Sequence, residues 1–274
     1  MRAMVLPLRD LNPTRRFPIV TLLLIAVNLF VYFAVQPHDT AQNENRFMLD
    51  HAAIPCEVVH GHPLSERQYA AQRCSVPNRD FLVQTTNGVA RTQNRPVSPG
   101  KNVYLAVIVS MFLHASVLHV LGNMLFLWIF GNNVEDHLGP IPYLIFYFAA
   151  GILATAAFTI ANAGSVATLV GASGAIAGVM GAYLIWFPRA RIFSIVFVIP
   201  MYLPASLVLG VWFVTQFFTD PNSGVAWVAH VAGFVFGAAV AFALRDTRGP
   251  VSRHIPPPPP LPGQWPGGMR GFDY

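Results

Sequence analysis

Charge is scarce in this chain. Asp, Glu, Lys and Arg make up 11% of its 274 residues, against roughly 25% in an ordinary soluble domain. With 54% hydrophobic residues and a mean hydropathy of +0.49, that shortage excludes a soluble globular protein and indicates an integral membrane protein. The formal net charge of +5 is not read as a nucleic-acid footprint. The arginines flank apolar runs and form no aromatic-interleaved patch, which is the ordinary pattern of membrane-helix flanks. Cysteine is nearly absent. The two present, Cys56 and Cys74, lie in one long polar segment. No CxxC or HxxxH spacing accompanies them, so a metal site with His51, His60 and His62 is the weaker reading. A disulfide on an oxidising face is the stronger one. No cofactor or metal is expected.

What is abundant is long apolar runs. A spanning helix needs about 20 mostly apolar residues. Six stretches qualify: 17–35, 116–130, 141–162, 169–187, 192–217 and 226–244. The first follows Arg15 and Arg16 but is long for a signal-peptide core and has no clean cleavage site after it, so it reads as an uncleaved span. Arg2, Arg9, Arg15 and Arg16 precede span 1, Arg189 and Arg191 separate spans 4 and 5, and Arg245, Arg248 and Arg253 follow span 6. The positive-inside rule puts both termini in the cytoplasm and segment 36–102 outside. The loop carrying Glu135, Asp136 and His137 should be inside, although it lacks Lys and Arg. Three parts result: a cytoplasmic lead 1–16, a membrane unit 17–248 with the external loop inserted after span 1, and a proline-rich tail 249–274. Pro256 to Pro260 favour extended polyproline in an otherwise disordered tail.

Polar groups inside a membrane are costly and mark function. His119 and Asn123, in "FLHASVLHVLGNMLFLW", are spaced i, i+4 and share a helix face. His114 lies slightly earlier. Ser173 stands between Gly171 and Gly174 at the head of span 4, and His230 near the head of span 6. Spans 2, 4 and 6 all enter from outside, so His119, Ser173 and His230 fall within roughly 10 Å of the outer surface at 1.5 Å rise per residue. Groups that meet around one reacting bond must share a depth; residues scattered for packing need not. Gly174, Gly178 and Gly181 or Ala182 form one small-residue stripe, and Gly233 with Gly237 another. Such stripes let membrane helices approach closely. If they face each other, Ser173 and His230 become a nucleophile and its base. Asn123, His119 and the Ser173 N–H could then hold an oxyanion. Taken singly, each feature also fits packing, an interhelical clamp, a proton pathway or half of a metal site.

Together these residues resemble a rhomboid intramembrane serine protease. The likeness rests on His114-x4-His119-x3-Asn123, on Gly171-Ala172-Ser173-Gly174, on Ala229-His230-x2-Gly233 and on "FGNNVEDHLG" at 130–139. It runs from about Phe112 to Leu244. It implies an all-α, polytopic, six-transmembrane-helix bundle, with Ser173 as nucleophile, His230 as base, and His119 and Asn123 on the oxyanion side. His114, Gly171, Gly174 and Gly233 support them. The implied partners are the lipid bilayer and single-span transmembrane proteins, cut near the outer end at a small residue; nucleic acid is not a partner. The chain departs from some members in lacking a Trp-Arg pair before span 2. It also has Ala177 where they carry an aromatic residue beneath the base. No acidic third member is evident. Span 5, with Trp212, Phe213, Phe217, Phe218 and Asp220 at its outer end, is where a gate is expected. A catalytically inactive relative that binds transmembrane helices, or a small transporter, are the competing readings.

Overall fold

The computed structural model describes residues 5–77, 80–85, 88–92, 94–220 and 224–245. The proline-rich tail, Arg2, Arg248 and Arg253 lie outside them. Strand β1 (Val5–Asp10) comes first, then helix α1 (Ile19–Phe30), which continues through a π-helical turn to Val35. Segment 36–102 holds three short helices, α2 (Ala41–His51), α3 (Pro55–His60) and α4 (Glu66–Ala71), and a hairpin of β2 (Phe81–Thr85) and β3 (Gly88–Thr92). Next come α5 (Val103–Val109), α6 (Val117–Leu138), α7 (Pro140–Ala161) and α8 (Ser173–Trp186). Strands β4 (Arg191–Val196) and β5 (Ile199–Pro204) precede α9 (Ala205–Gln216) and α10 (Trp227–Leu244).

Helix boundaries follow local chemistry. Ser116 caps α6, its hydroxyl accepting the His119 N–H at 3.2 Å, which satisfies one free donor of the first turn. At the other end Gly139 (φ +90°) turns the chain, and Pro140 starts α7, a position where a missing N–H costs nothing. The α6 helix runs beyond the expected end of span 2, so Glu135, Asp136 and His137 belong to its last turn and not to a loop. Backbone donors account for this. The buried Glu135 carboxylate accepts from the Val20 N–H (2.9 Å), the Thr21 N–H (2.8 Å) and the Thr21 hydroxyl (2.7 Å). Asp136 accepts from the Arg15 and Arg16 N–H groups. Glu135 thereby covers free N–H groups in the first turn of α1, and Asp136 those of the chain just before it.

Helix α8 is the hub. Every residue from Gly174 to Tyr183 is buried, with α6, α7 and α10 packed around it. The two small-residue stripes do face each other. A methyl on Gly233 would overlap the Gly174 carbonyl, and one on Gly237 would overlap the Gly178 carbonyl. These backbones touch at a separation that only glycine allows. The outer faces of the bundle carry exposed apolar side chains such as Leu23, Phe30, Ile145 and Phe242, the surface that lipid covers. Helices α6, α7 and α10 are long and apolar enough to cross a membrane, while 19–35, 103–112, α8 and α9 are shorter apolar helices.

Three expectations change. The chain is not all-α, because a three-stranded antiparallel sheet, in the order β1–β4–β5, lies at the end of the bundle that carries the N-terminus. Stretch 192–217 is therefore not one helix: its first half is a hairpin, and only 205–216 are helical. Pro200 and Pro204 punctuate it, and proline cannot continue a helix interior. Phe197 (φ +58°) makes the hairpin turn. Residues 5–10 are likewise part of the folded unit and not a plain lead. Asp10 anchors them, accepting from the Tyr183 hydroxyl at 2.7 Å and from Asn133 Nδ2 at 2.6 Å.

Segment 36–102 is folded too. Cys56 and Cys74 form a disulfide, with Cα atoms 5.7 Å apart. They share a small core with Leu49, Ile54, Leu64 and Val166. His60 is close by, its Nδ1 3.6 Å from Cys74 Sγ, but with both sulfurs in the disulfide the trio offers no thiolate to a metal. Lys101, the chain's one lysine, makes an ion pair with Glu57 at 2.5 Å, the two side chains only 1% and 2% exposed. Burial pushes the Lys101 ammonium below its ordinary value, and the pairing opposes that shift. The segment docks on the α7–α8 connection. The Leu169 N–H donates to the Ala53 carbonyl (2.7 Å), and the Cys56 N–H to that of Ser165 (3.0 Å). It thus braces the loop that leads into Ser173.

Candidate active site

Ser173 is the first residue of α8, and the backbone before it is bent by Gly171 at φ +121°. That conformation is open to glycine and strained for other residues. The Gly171 N–H donates to the Ser110 carbonyl at 2.9 Å, which fixes the approach to the helix. His230 lies in the first turn of α10, facing α8 across the glycine contact. Its Nε2 is 2.8 Å from the Ser173 hydroxyl oxygen. Gly233 sets this distance, because a methyl there would overlap the Gly174 carbonyl and push the two helices apart, whereas one on Gly174 would press on Ala154 of α7.

The α6 residues stand on the other side of Gly171. A methyl there would come within 2.9 Å of the His119 ring and 3.7 Å of Asn123 Nδ2, so both side chains reach the turn that presents Ser173. Asn123 Nδ2 is buried and has no hydrogen-bond partner among the described residues. A buried donor left open is costly, and this one lies where a developing anion could take it up. His114 is fully buried, and its ring meets that of His119 edge-on at 5.1 Å. Gln36, at the end of the π-helical turn, holds the His114 backbone. Its amide oxygen accepts the His114 N–H and its amide nitrogen donates to the His114 carbonyl, both at 2.9 Å. A small cavity opens beside Ser173, bounded by Ser110, Met111, Ala154, Thr155 and Gly171. Its walls are short side chains, so it fits a small group or water.

All of the sequence-selected residues except the two cysteines gather around one point. Gln216, Gln36 and Thr155 escaped that selection. Gln216 ends α9 and is buried; its Oε1 lies 2.8 Å from His230 Nδ1, and its Nε2 donates to the Trp212 carbonyl at 3.0 Å. The available signal was a lone amide closing the apolar run 205–215, at the depth already assigned to His230.

Such an arrangement can move a proton. A hydroxyl bonded to one imidazole nitrogen becomes a nucleophile when that nitrogen accepts its hydrogen, and amide and imidazole donors beside it can hold an oxyanion.

Apolar helices with lipid-facing outer surfaces, closed around a buried polar cluster, define a multi-pass membrane protein. Its matches are consistent with one another. The model of the rhomboid domain matches residues 101–247. Over 140 residues the chain is 31% identical to "Rhomboid protease GlpG" of Yersinia pestis (strain Pestoides F), covering 50% of this chain and 46% of that protein. It is also 31% identical over 140 residues to "Rhomboid protein 1, mitochondrial" of Saccharomyces cerevisiae, covering 49% of this chain and 34% of that protein. The chain belongs to the rhomboid family. The matched stretch spans less than half the length of either relative.

Proposed function

We propose that this protein is an intramembrane serine endopeptidase that cuts membrane-protein substrates near the outer end of a transmembrane segment. The observation that carries this reading is the 2.8 Å contact between Ser173 Oγ and His230 Nε2. The name of the similar protein "Rhomboid protease GlpG" supports it.

In the proposed reaction Ser173 Oγ attacks the scissile carbonyl while His230 Nε2 takes its proton. His119, Asn123 and the Ser173 N–H donate to the oxyanion. Collapse breaks the C–N bond, His230 returns the proton to the leaving amine, and an ester remains on Ser173. Water then attacks that ester with His230 as base, releasing the acid and the serine. The cavity beside Ser173 suits a small side chain or the incoming water.

Six crossings, with both termini in the cytoplasm and segment 36–102 outside, agree with the arginine distribution. Helix lengths supply the depth. At 1.5 Å per residue α7 is roughly 33 Å long and α8 roughly 21 Å. With their cytoplasmic ends level, Ser173 lies about 12 Å below the outer surface, and the non-helical residues just before it, 168–172, are half-buried or buried, as irregular backbone at that depth must be shielded from lipid. Substrates are single-span proteins whose helix must unwind to reach Ser173, and weak helix formers lower that cost. Entry past α9 is proposed. Of its residues only Ala205, Val208, Leu209 and Gln216 are buried, so its outer half has a single buried anchor.

The test is labelling with a serine-directed fluorophosphonate. Wild type should label and Ser173→Ala should not. Equal labelling of both, or of neither, refutes the proposal, and an inactive helix-binding relative or a transporter would then fit better.

A further inference from the structure

We infer that Gln216 is the positioning residue for His230, taking the place that an acidic third member fills in other serine hydrolases, and that it ties the base to the position of α9. The inference rests on the proposed Ser173–His230 chemistry.

The first argument is the direction of the amide. Gln216 lies between two fixed partners, the Trp212 carbonyl at 3.0 Å and His230 Nδ1 at 2.8 Å. The Trp212 carbonyl can only accept, so it must meet the amide NH2 group; flipping the amide would set two oxygens against each other. Oε1 is therefore turned to the ring, and an oxygen at Nδ1 requires a proton there. A neutral imidazole with its proton on Nδ1 has a bare Nε2, the nitrogen that faces the Ser173 hydroxyl. The Trp212 carbonyl thus sets the amide, the amide sets the tautomer, and the tautomer makes His230 an acceptor for the serine proton. This is the role of the third residue of a Ser–His–acid triad, supplied here by a neutral group.

The second argument is location. Ala177 lies on the α8 side, where it gives the ring no polar contact, and the Trp212 ring, 5.9 Å from that of His230, comes from α9 as well. Both neighbours that steady the base therefore belong to α9. Gln216 is also the one buried residue in the outer half of that helix. When the outer end of α9 swings away, the Nδ1 contact must break. The base is then aligned when α9 is seated and loosened when it is displaced.

The experiment compares wild type, Gln216→Leu, Gln216→Glu and Ser173→Ala as full-length protein in detergent micelles. Rate constants for fluorophosphonate labelling are measured with saturation resolved into binding and inactivation steps. Ring 15N shifts of His230 are recorded on histidine-labelled protein, and thermal unfolding confirms the fold. Gln216→Leu should inactivate about 10- to 100-fold more slowly, with reagent binding little changed, because a buried Nδ1–H loses its acceptor. Its 15N shifts should move from the Nδ1–H tautomer towards a mixture. Gln216→Glu, which keeps an acceptor at Nδ1, should recover most of the rate. Gln216→Leu labelling at the wild-type rate with unchanged 15N shifts overturns the inference, as does Gln216→Glu losing as much as Gln216→Leu while still folded. Should wild type and Ser173→Ala label alike, the hydrolytic reading itself fails, whatever the Gln216 variants do.

Discussion

Replacing Gly171 by alanine should separate a geometric role for this residue from a filler one. Two effects add. At φ +121° a residue with a Cβ pays a backbone strain of about 1–3 kcal/mol. The new methyl would also lie 2.9 Å from His119 Cε1 and Nε2, where carbon contacts normally settle at about 3.5–4.0 Å. The ring must therefore retreat by at least roughly half an ångström, or the Gly171 turn must move and carry Ser173 with it. A displacement near 1 Å costs on the order of 10²-fold in rate. Gly171→Ala should thus lower the fluorophosphonate labelling rate by about two orders of magnitude and reduce stability in detergent by about 1–3 kcal/mol. The matched control is Gly164→Ala, in the same connection, where a methyl meets nothing within 4 Å; it should change neither quantity appreciably. Wild-type labelling by Gly171→Ala, or an equal loss in Gly164→Ala, would refute the reasoning.

Other outcomes follow from the same geometry. Asn123→Ala removes one open donor and should slow cleavage about 10²–10³-fold without abolishing it; unchanged turnover would remove Asn123 from the oxyanion side. Engineered cross-linking of α9 to α6 should block cleavage of a membrane-spanning substrate yet spare labelling by a small fluorophosphonate. Unimpeded substrate cleavage would reject α9 as the gate. The Cys56–Cys74 bridge closes a loop with a sequence separation of 18, so the double serine variant should weaken segment 36–102 by about 3 kcal/mol. Faster proteolytic nicking within 36–102 would report it, and wild-type resistance would contradict it.

The reactive cluster was legible in the sequence because polar side chains are few in the apolar spans. Ser173, His230, His119 and Asn123 were conspicuous against their neighbours, and a common depth could be worked out from rise per residue. The glycine stripes were legible for a related reason: close helix approach in a membrane relies on small residues, and spacing marked both stripes, while their facing each other, Gly174 and Gly178 against Gly233 and Gly237, came only from the structure. The sheet was not legible. Stretch 192–217 is apolar throughout, and hydropathy does not distinguish a buried hairpin from a helix. Pro200 and Pro204 were the available warning, whereas the pairing of β4 with the distant β1 had no local signal. Glu135 and Asp136 looked like loop residues because charge normally ends a span; the donors that retain them in the helix come from α1 and the residues just before it, over a hundred residues away. Gln216 was missed because its meaning depends on two partners, Trp212 on its own helix and His230 on the next.

The most direct measurement incubates purified protein with a panel of single-span substrates and reads the products by mass spectrometry, with Ser173→Ala and His230→Ala alongside. The expected result is a cut near the outer end of the substrate's transmembrane segment, after a small residue, made by wild type and by neither variant. Cleavage by Ser173→Ala at the wild-type rate, or no cleavage by wild type of any substrate tested, would contradict a Ser173–His230 protease.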